Sequence, residues 1–147
     1  MATNTPVIHF YFNYSFSLRR RRPLKFYLIQ LFLIEQIPLQ SLSIIFCSDD
    51  QLLLLNQQYL SHDTLTDILT FRLSEPTLPL MAELYISVER INDNAATFHT
   101  SSHQELLRVI FHGCLHLCGY NDKTVRQKAA MRVKEDYYLL NYLKCST

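Results

Sequence analysis

Glycine is nearly missing from this chain: two occur in 147 residues, and both lie between residues 112 and 122, in HGCLHLCGYND. Any turn or close backbone approach that only glycine permits is therefore confined to that segment. Net charge is scarce too. A formal charge of +1 and a pI near 7.7 create no global field for a polyanion, so any contact with nucleic acid has to come from a local patch. No long apolar run is present either. Lys25, Gln30, Glu35 and Gln36 interrupt PLKFYLIQLFLIEQIPL well short of the roughly 20 apolar residues that a membrane span requires, and a buried core helix is expected there. Neither a signal peptide nor a secreted cysteine framework is expected. Of Cys47, Cys114, Cys118 and Cys145, two fall inside an expected helix, which points to a reducing cytoplasm. No internal repeat, low-complexity tract or linker breaks the chain, and 48% hydrophobic content suits one compact domain over 1–147.

What is present alternates between strand-like and helix-like segments. VIHFYF (Val7 to Phe12) is rich in branched and aromatic residues and predicts a strand. A basic run, Arg19 to Arg22, precedes a helix entered at Pro23 and stopped near Gln36 by Pro38. Ser41 to Cys47 predicts a second strand. Ser48 or Asp49 can cap a helix through LLLLNQQYL that ends near Tyr59 or Leu60. Polar SHDTLTD (Ser61 to Asp67) leads into the strand Ile68 to Leu73, and a loop with Pro76 and Pro79 separates it from the strand Ala82 to Val88. Glu89 to Thr97 reads as helix. Ser102 with Glu105 has the spacing of a capping box and opens a helix from His103 to Cys118. A last helix covers Thr124 to about Lys144.

The chemistry gathers around the two glycines. On a helix, at about 100° per residue, His112 and His116 lie about 40° apart, one turn above the other, so both imidazoles project the same way. Cys114 and Cys118 fall near the opposite side and read as packing residues with inert thiols. Gly119 can take the left-handed conformation that ends a helix, and the chain then turns so that Asp122 brings a carboxylate towards the histidine face. Two His and one Asp leave a coordination position open, as a catalytic zinc site does. Gly113 lies on the stripe of Leu106, Ile110 and Leu117, where the lack of a side chain permits close approach to a sheet. Against this stands a blander reading, in which the histidines are hydrogen-bonded core residues and Asp122 merely caps the final helix.

HGCLHLCGYND resembles the H-G-x-L-H-L-x-G-Y-D-H signature of the YbeY family, zinc-dependent endoribonucleases that mature ribosomal RNA. NQQYLSHDTLTDILTF (Asn56 to Phe71) is similar to that family's L-N-x-x-Y-R-x-x-D-x-P-T-D-V-L-S-F segment, and ELYIS (Glu83 to Ser87) to its G-D-I-x-I-S strand. The resemblance covers about residues 41 to 140, with a weaker match at the N-terminus. It implies a zincin-like α+β fold, a mixed sheet of about four strands covered by helices, with the metal-binding helix packed on the sheet. It further implies Zn2+ held by His112, His116 and Asp122, which also form the catalytic centre.

Three departures from the family pattern stand out. Asp122 replaces the third histidine, Leu60 replaces an arginine associated with RNA cleavage, and Ala82 with Glu83 replaces G-D. The implied activity is single-strand-specific cleavage in small-subunit ribosomal RNA 3′-end processing and ribosome quality control, in the cytoplasm. The implied partners are an RNA precursor and the ribosome, with neither membrane nor DNA.

A bound zinc polarises phosphoryl oxygens and supplies hydroxide near neutral pH. Candidate helpers are His62, Asp63 and Arg72, beside readings in which Asp63 and Asp67 only hold their loop and Arg72 is solvated. Arg19 to Arg22 are candidate phosphate contacts and Tyr120 a candidate base-stacking residue. Two other functions compete: a ribosome-associated RNA-binding module with structural zinc, and a zinc hydrolase of another substrate. Glycine at 113, where H-E-x-x-H metalloproteases have their general base, argues against peptides.

Overall fold

A computed structural model describes residues 5–60 and 66–145. The elements in chain order are β1 (Val7–Phe12), α1 (Arg21–Ile34), β2 (Leu39–Cys47), α2 (Asp49–Leu60), β3 (Ile68–Arg72), β4 (Leu80–Ser87), α3 (Val88–Thr97), α4 (Ser102–Leu117) and α5 (Val125–Cys145). The strands form one mixed sheet in the order β1-β2-β4-β3. The pairs β1/β2 and β2/β4 are parallel, and β3 runs antiparallel to β4. The α+β arrangement expected above, with four strands and the histidine helix on the sheet, is the one found. No helix among the described residues is long and apolar enough to cross a membrane.

Alternation along the strands divides the side chains between two faces. Leu42, Ile44 and Phe46 of β2 and Ala82, Leu84 and Ile86 of β4 enter the main core with Leu28 and Phe32 of α1 and Ile110 and Phe111 of α4. On the other face, Cys47 and Leu69 meet Leu52 of α2 in a smaller cluster. Helix α4 lies so close to the sheet that a β-carbon at Gly113 would stand 2.6 Å from Ile68 Cδ1 and 3.2 Å from both Leu84 δ-methyls. The close approach expected at this glycine is thus real, and it presses the histidine helix onto β3 and β4.

Scarce glycine has a cost at helix ends. Helices α1, α3 and α4 all finish with a left-handed residue followed by a backbone bond reaching back to the last turn, which satisfies otherwise orphaned carbonyls. These bonds are Ile37 N to Phe32 O at 2.9 Å, Thr100 N to Ala95 O at 3.0 Å and Tyr120 N to Leu115 O at 3.1 Å. Only α4 has glycine at the left-handed position. Gln36 (φ 61°) and His99 (φ 55°) serve in the other two.

The helix starts differ from expectation in one place. The helix cap sits one residue before the expected Ser102, without the reciprocal bond of a capping box: Ser101 accepts from the Gln104 N–H at 3.1 Å, Gln104 Oε1 accepts from the Thr100 hydroxyl at 3.3 Å, and Glu105 is buried. Ser48, not Asp49, caps α2, in a reciprocal pair with Gln51. That frees Asp49 to accept from Ser87 Oγ at 2.6 Å and Arg90 Nη2 at 3.1 Å.

Candidate metal centre

Helix α4 carries both histidines, and its stripe of buried residues includes Leu106, Leu107, Ile110, Phe111, Gly113 and Cys114, so its orientation is set by the core. His112 and His116 therefore emerge together at the edge of the buried face, each half-buried. Their Nε2 atoms stand 3.0 Å apart. Gly119, at φ 105°, reverses the chain after α4, and Asp122 Oδ2 arrives 3.4 Å from His112 Nε2 and 3.3 Å from His116 Nε2. One ligand atom from each of the three lies within 4.8 Å of the others, which makes this the one metal-competent His/Cys/Asp/Glu group among the described residues.

The other nitrogen of each ring decides what this group is for. His116 Nδ1 lies 2.8 Å from the Tyr120 carbonyl. A carbonyl only accepts, so the proton sits on Nδ1 and Nε2 presents a lone pair. His112 Nδ1 lies 2.6 Å from Glu135 Oε2, and donation to that carboxylate leaves a second Nε2 lone pair. Two nitrogen lone pairs and a carboxylate oxygen then face one another with no donor among them. Such an arrangement repels itself until a cation or a proton sits between its members, and histidines tied back through Nδ1 are the usual form of metal ligands. The donor set of two imidazoles and a carboxylate fits zinc.

The electrostatics agree. Burial alone would push the His112 pKa down, but the Glu135 hydrogen bond and charge, followed by the charges of Asp122 and Asp67, leave it raised. The centre thus favours positive charge. Arg108 balances Glu135 at 3.1 Å and Asp136 at 2.8 Å. Asp67, whose carboxyl accepts from Asn94 Nδ2 at 3.3 Å, is pushed up by burial, against the pull of His112.

Glu135 is absent from the sequence reading because it lies on α5, remote in the chain. It had a signal nonetheless. The buried positions of α5 are Met131, Glu135, Tyr138, Leu139 and Tyr142, and a lone carboxylate on such a stripe needs a partner. The cysteines are as expected: Cys114 is fully buried and Cys118, at the end of α4, has its thiol pushed up to about 12 by burial and by Glu35. Neither joins the metal group.

Other candidates fare unevenly. Arg72 spends its guanidinium on the carbonyls of Ser74, Glu75 and Leu78 at 3.0–3.1 Å, so it holds the β3–β4 loop. His62 and Asp63 lie outside the described residues. Arg19 to Arg22 are exposed, and Arg21 rests over the Phe12 ring at 4.4 Å. Arg19 lines a surface pocket with His103, near the start of α4, whereas His116 lies near its other end. Tyr120 is partly buried against the core, and its hydroxyl donates to Glu35 at 2.7 Å.

The sequence matches the family model described as Endoribonuclease YbeY over residues 21–143. The chain belongs to the YbeY family. Among its YbeY relatives, one named Endoribonuclease YbeY from Amoebophilus asiaticus is 48% identical over 106 residues, 72% of each chain. Another of that name, from Cytophaga hutchinsonii, is 42% identical over 122 residues, 83% of this chain and 85% of the other. The solution structure of TM1509 from Thermotoga maritima superposes with a TM-score of 0.59 at 26% identity, covering 92% of this chain and 88% of that one.

Proposed function

We propose that this YbeY chain, as one unit, is a zinc-dependent endoribonuclease that cuts single-stranded RNA, with ribosomal RNA precursors on the ribosome as its substrate in the cytoplasm. The observation that carries the metal is the meeting of two Nε2 lone pairs and the Asp122 carboxylate with no donor between them. The RNA comes from the name its relatives bear. His112, His116 and Asp122 would hold the ion. When bound, zinc supplies a Lewis acid for a phosphoryl oxygen and activates water near neutral pH.

The chain's own contribution is orientation. Glu135 and the Tyr120 carbonyl hold the imidazole protons on Nδ1, and Arg108 fixes Glu135 through a 3.1 Å ion pair. A peptide substrate is disfavoured because position 113 faces Ile68 and Leu84, with no room for a carboxylate base. Leu60, in place of the family arginine, favours the second reading of an RNA-binding module with structural zinc.

Cleavage of a single-stranded RNA and of the matching duplex separates these readings. The enzyme reading expects cutting of the single strand that falls ~100-fold or more with chelator or in His116→Ala, since metal Lewis acidity is worth several kcal/mol. Binding of RNA without any cleavage by the zinc-loaded protein would favour the module.

A further inference from the structure

Helix α1 ends at a carboxylate with an unusual number of partners. Glu35, whose side chain is 8% exposed, accepts from the Tyr120 hydroxyl at 2.7 Å, from the Tyr138 hydroxyl and from Lys134 Nζ at 3.3 Å. Burying an ion pair seldom adds stability over apolar packing of the same volume, whereas removing one partner leaves a costly unpaired group. Stability alone therefore gives little reason for Glu35. Position gives a better one.

The turn that Tyr120 occupies carries two parts of the metal centre. Its carbonyl fixes the tautomer of His116, and Asp122 follows two residues later. Gly119 has no side chain to tether, with open space where a β-carbon would be, and Asn121 is exposed. The side-chain hold on this turn thus runs through the Tyr120 ring, which Lys134 also approaches at 5.6 Å, and ends at Glu35.

We propose that Glu35 is a positioning residue of the metal centre: through the Tyr120 hydroxyl it fixes the turn that orients His116 and delivers Asp122. This rests on the metal reading above. It connects the end of α1, far away in sequence, to the ligand geometry, and Lys134 neutralises the carboxylate so that no net charge is added beside the ion.

The test measures zinc affinity of the full chain by competition with a chromophoric chelator, together with the melting temperature of the metal-free protein. Glu35→Gln and Tyr120→Phe should each weaken zinc about 10-fold, the lower end for residues that support ligands from outside the coordination sphere. The double variant should be no weaker than the worse single one, because the two act through one bond. Tyr27→Phe is the control. It removes a buried bond from the Tyr27 hydroxyl to the Tyr138 carbonyl at 2.8 Å, tying the same two helices without touching the turn, so it should lower the melting temperature and leave zinc affinity unchanged. Wild-type affinity in Glu35→Gln and Tyr120→Phe would overturn the inference alone, as would an equal loss in Tyr27→Phe. A wild-type protein that binds no zinc would overturn the metal reading and this inference with it.

Discussion

At position 122 a carboxylate stands beside two imidazole nitrogens, and it takes no part in starting α5. Thr124 does that, accepting from the Gln127 N–H at 3.1 Å while Gln127 accepts from the Thr124 N–H at 3.0 Å. Asp122→Asn should therefore leave the melting temperature of the metal-free protein nearly unchanged but weaken zinc at least ~10-fold, since a neutral amide is a poor ligand. Asp122→His should retain the metal. Glu35 gives a second expectation at this scale. Burial raises its pKa, but the bonds from Tyr138, Tyr120 and Lys134 outweigh it and hold the carboxyl below its ordinary range. A lowered folded pKa contributes stability that is present above the unfolded value and lost as pH falls through the folded one. The acid limb of the stability curve should be shallower in Glu35→Gln, measured by denaturant unfolding between neutral pH and pH ~3. The clustering of His112, His116 and Asp122 was legible because it is local: an i, i+4 pair, a glycine and a turn. Glu135 and Glu35 were not, because chain-distant partners leave no spacing to read.

Helices and strands were largely legible from periodicity, turn residues and caps, with boundaries displaced by a residue or two. Two places resisted for physical reasons. Ser101 and Ser102 are both able caps by residue type, so the sequence does not distinguish them, and Ser101 takes the role. The left-handed ends at Gln36 and His99 carry no glycine to mark them. The second case makes a prediction: His99→Gly should stabilise the protein by ~0.5–1 kcal/mol, the left-handed penalty relieved less the extra freedom of the unfolded chain, read by denaturant midpoint. Gly113→Ala should do the opposite. Its methyl meets the end of the Ile68 side chain, which can swing aside, so a loss of ~1–3 kcal/mol is expected from overpacking. Retained stability would show that α4 does not press on the sheet as described.

On the scale of the whole molecule, three distant segments converge on one point. Helix α4 supplies the two imidazoles of the metal-competent group, the turn after it the carboxylate, α5 the Glu135 bonded to His112 and α1 the Glu35 bonded to Tyr120. Under the proposed function, zinc that binds only this folded arrangement should add stability by mass action, about 2.7 kcal/mol at 100 times its Kd, so metal and fold should report on each other. The family pattern was visible in the motif and in the segments around Tyr59 to Phe71 and Glu83 to Ser87, whereas the source of phosphate recognition was not. Leu60 departs from the pattern, and Arg19, in the exposed run before α1, lies by the opposite end of α4 from His116. The most direct measurement is a zinc titration of the metal-free wild-type chain beside His116→Ala, followed by competition with a chelator of known affinity. The account predicts one equivalent bound by the wild type and none by His116→Ala at the same chelator concentration. Equal binding by both would place the metal elsewhere and contradict the account.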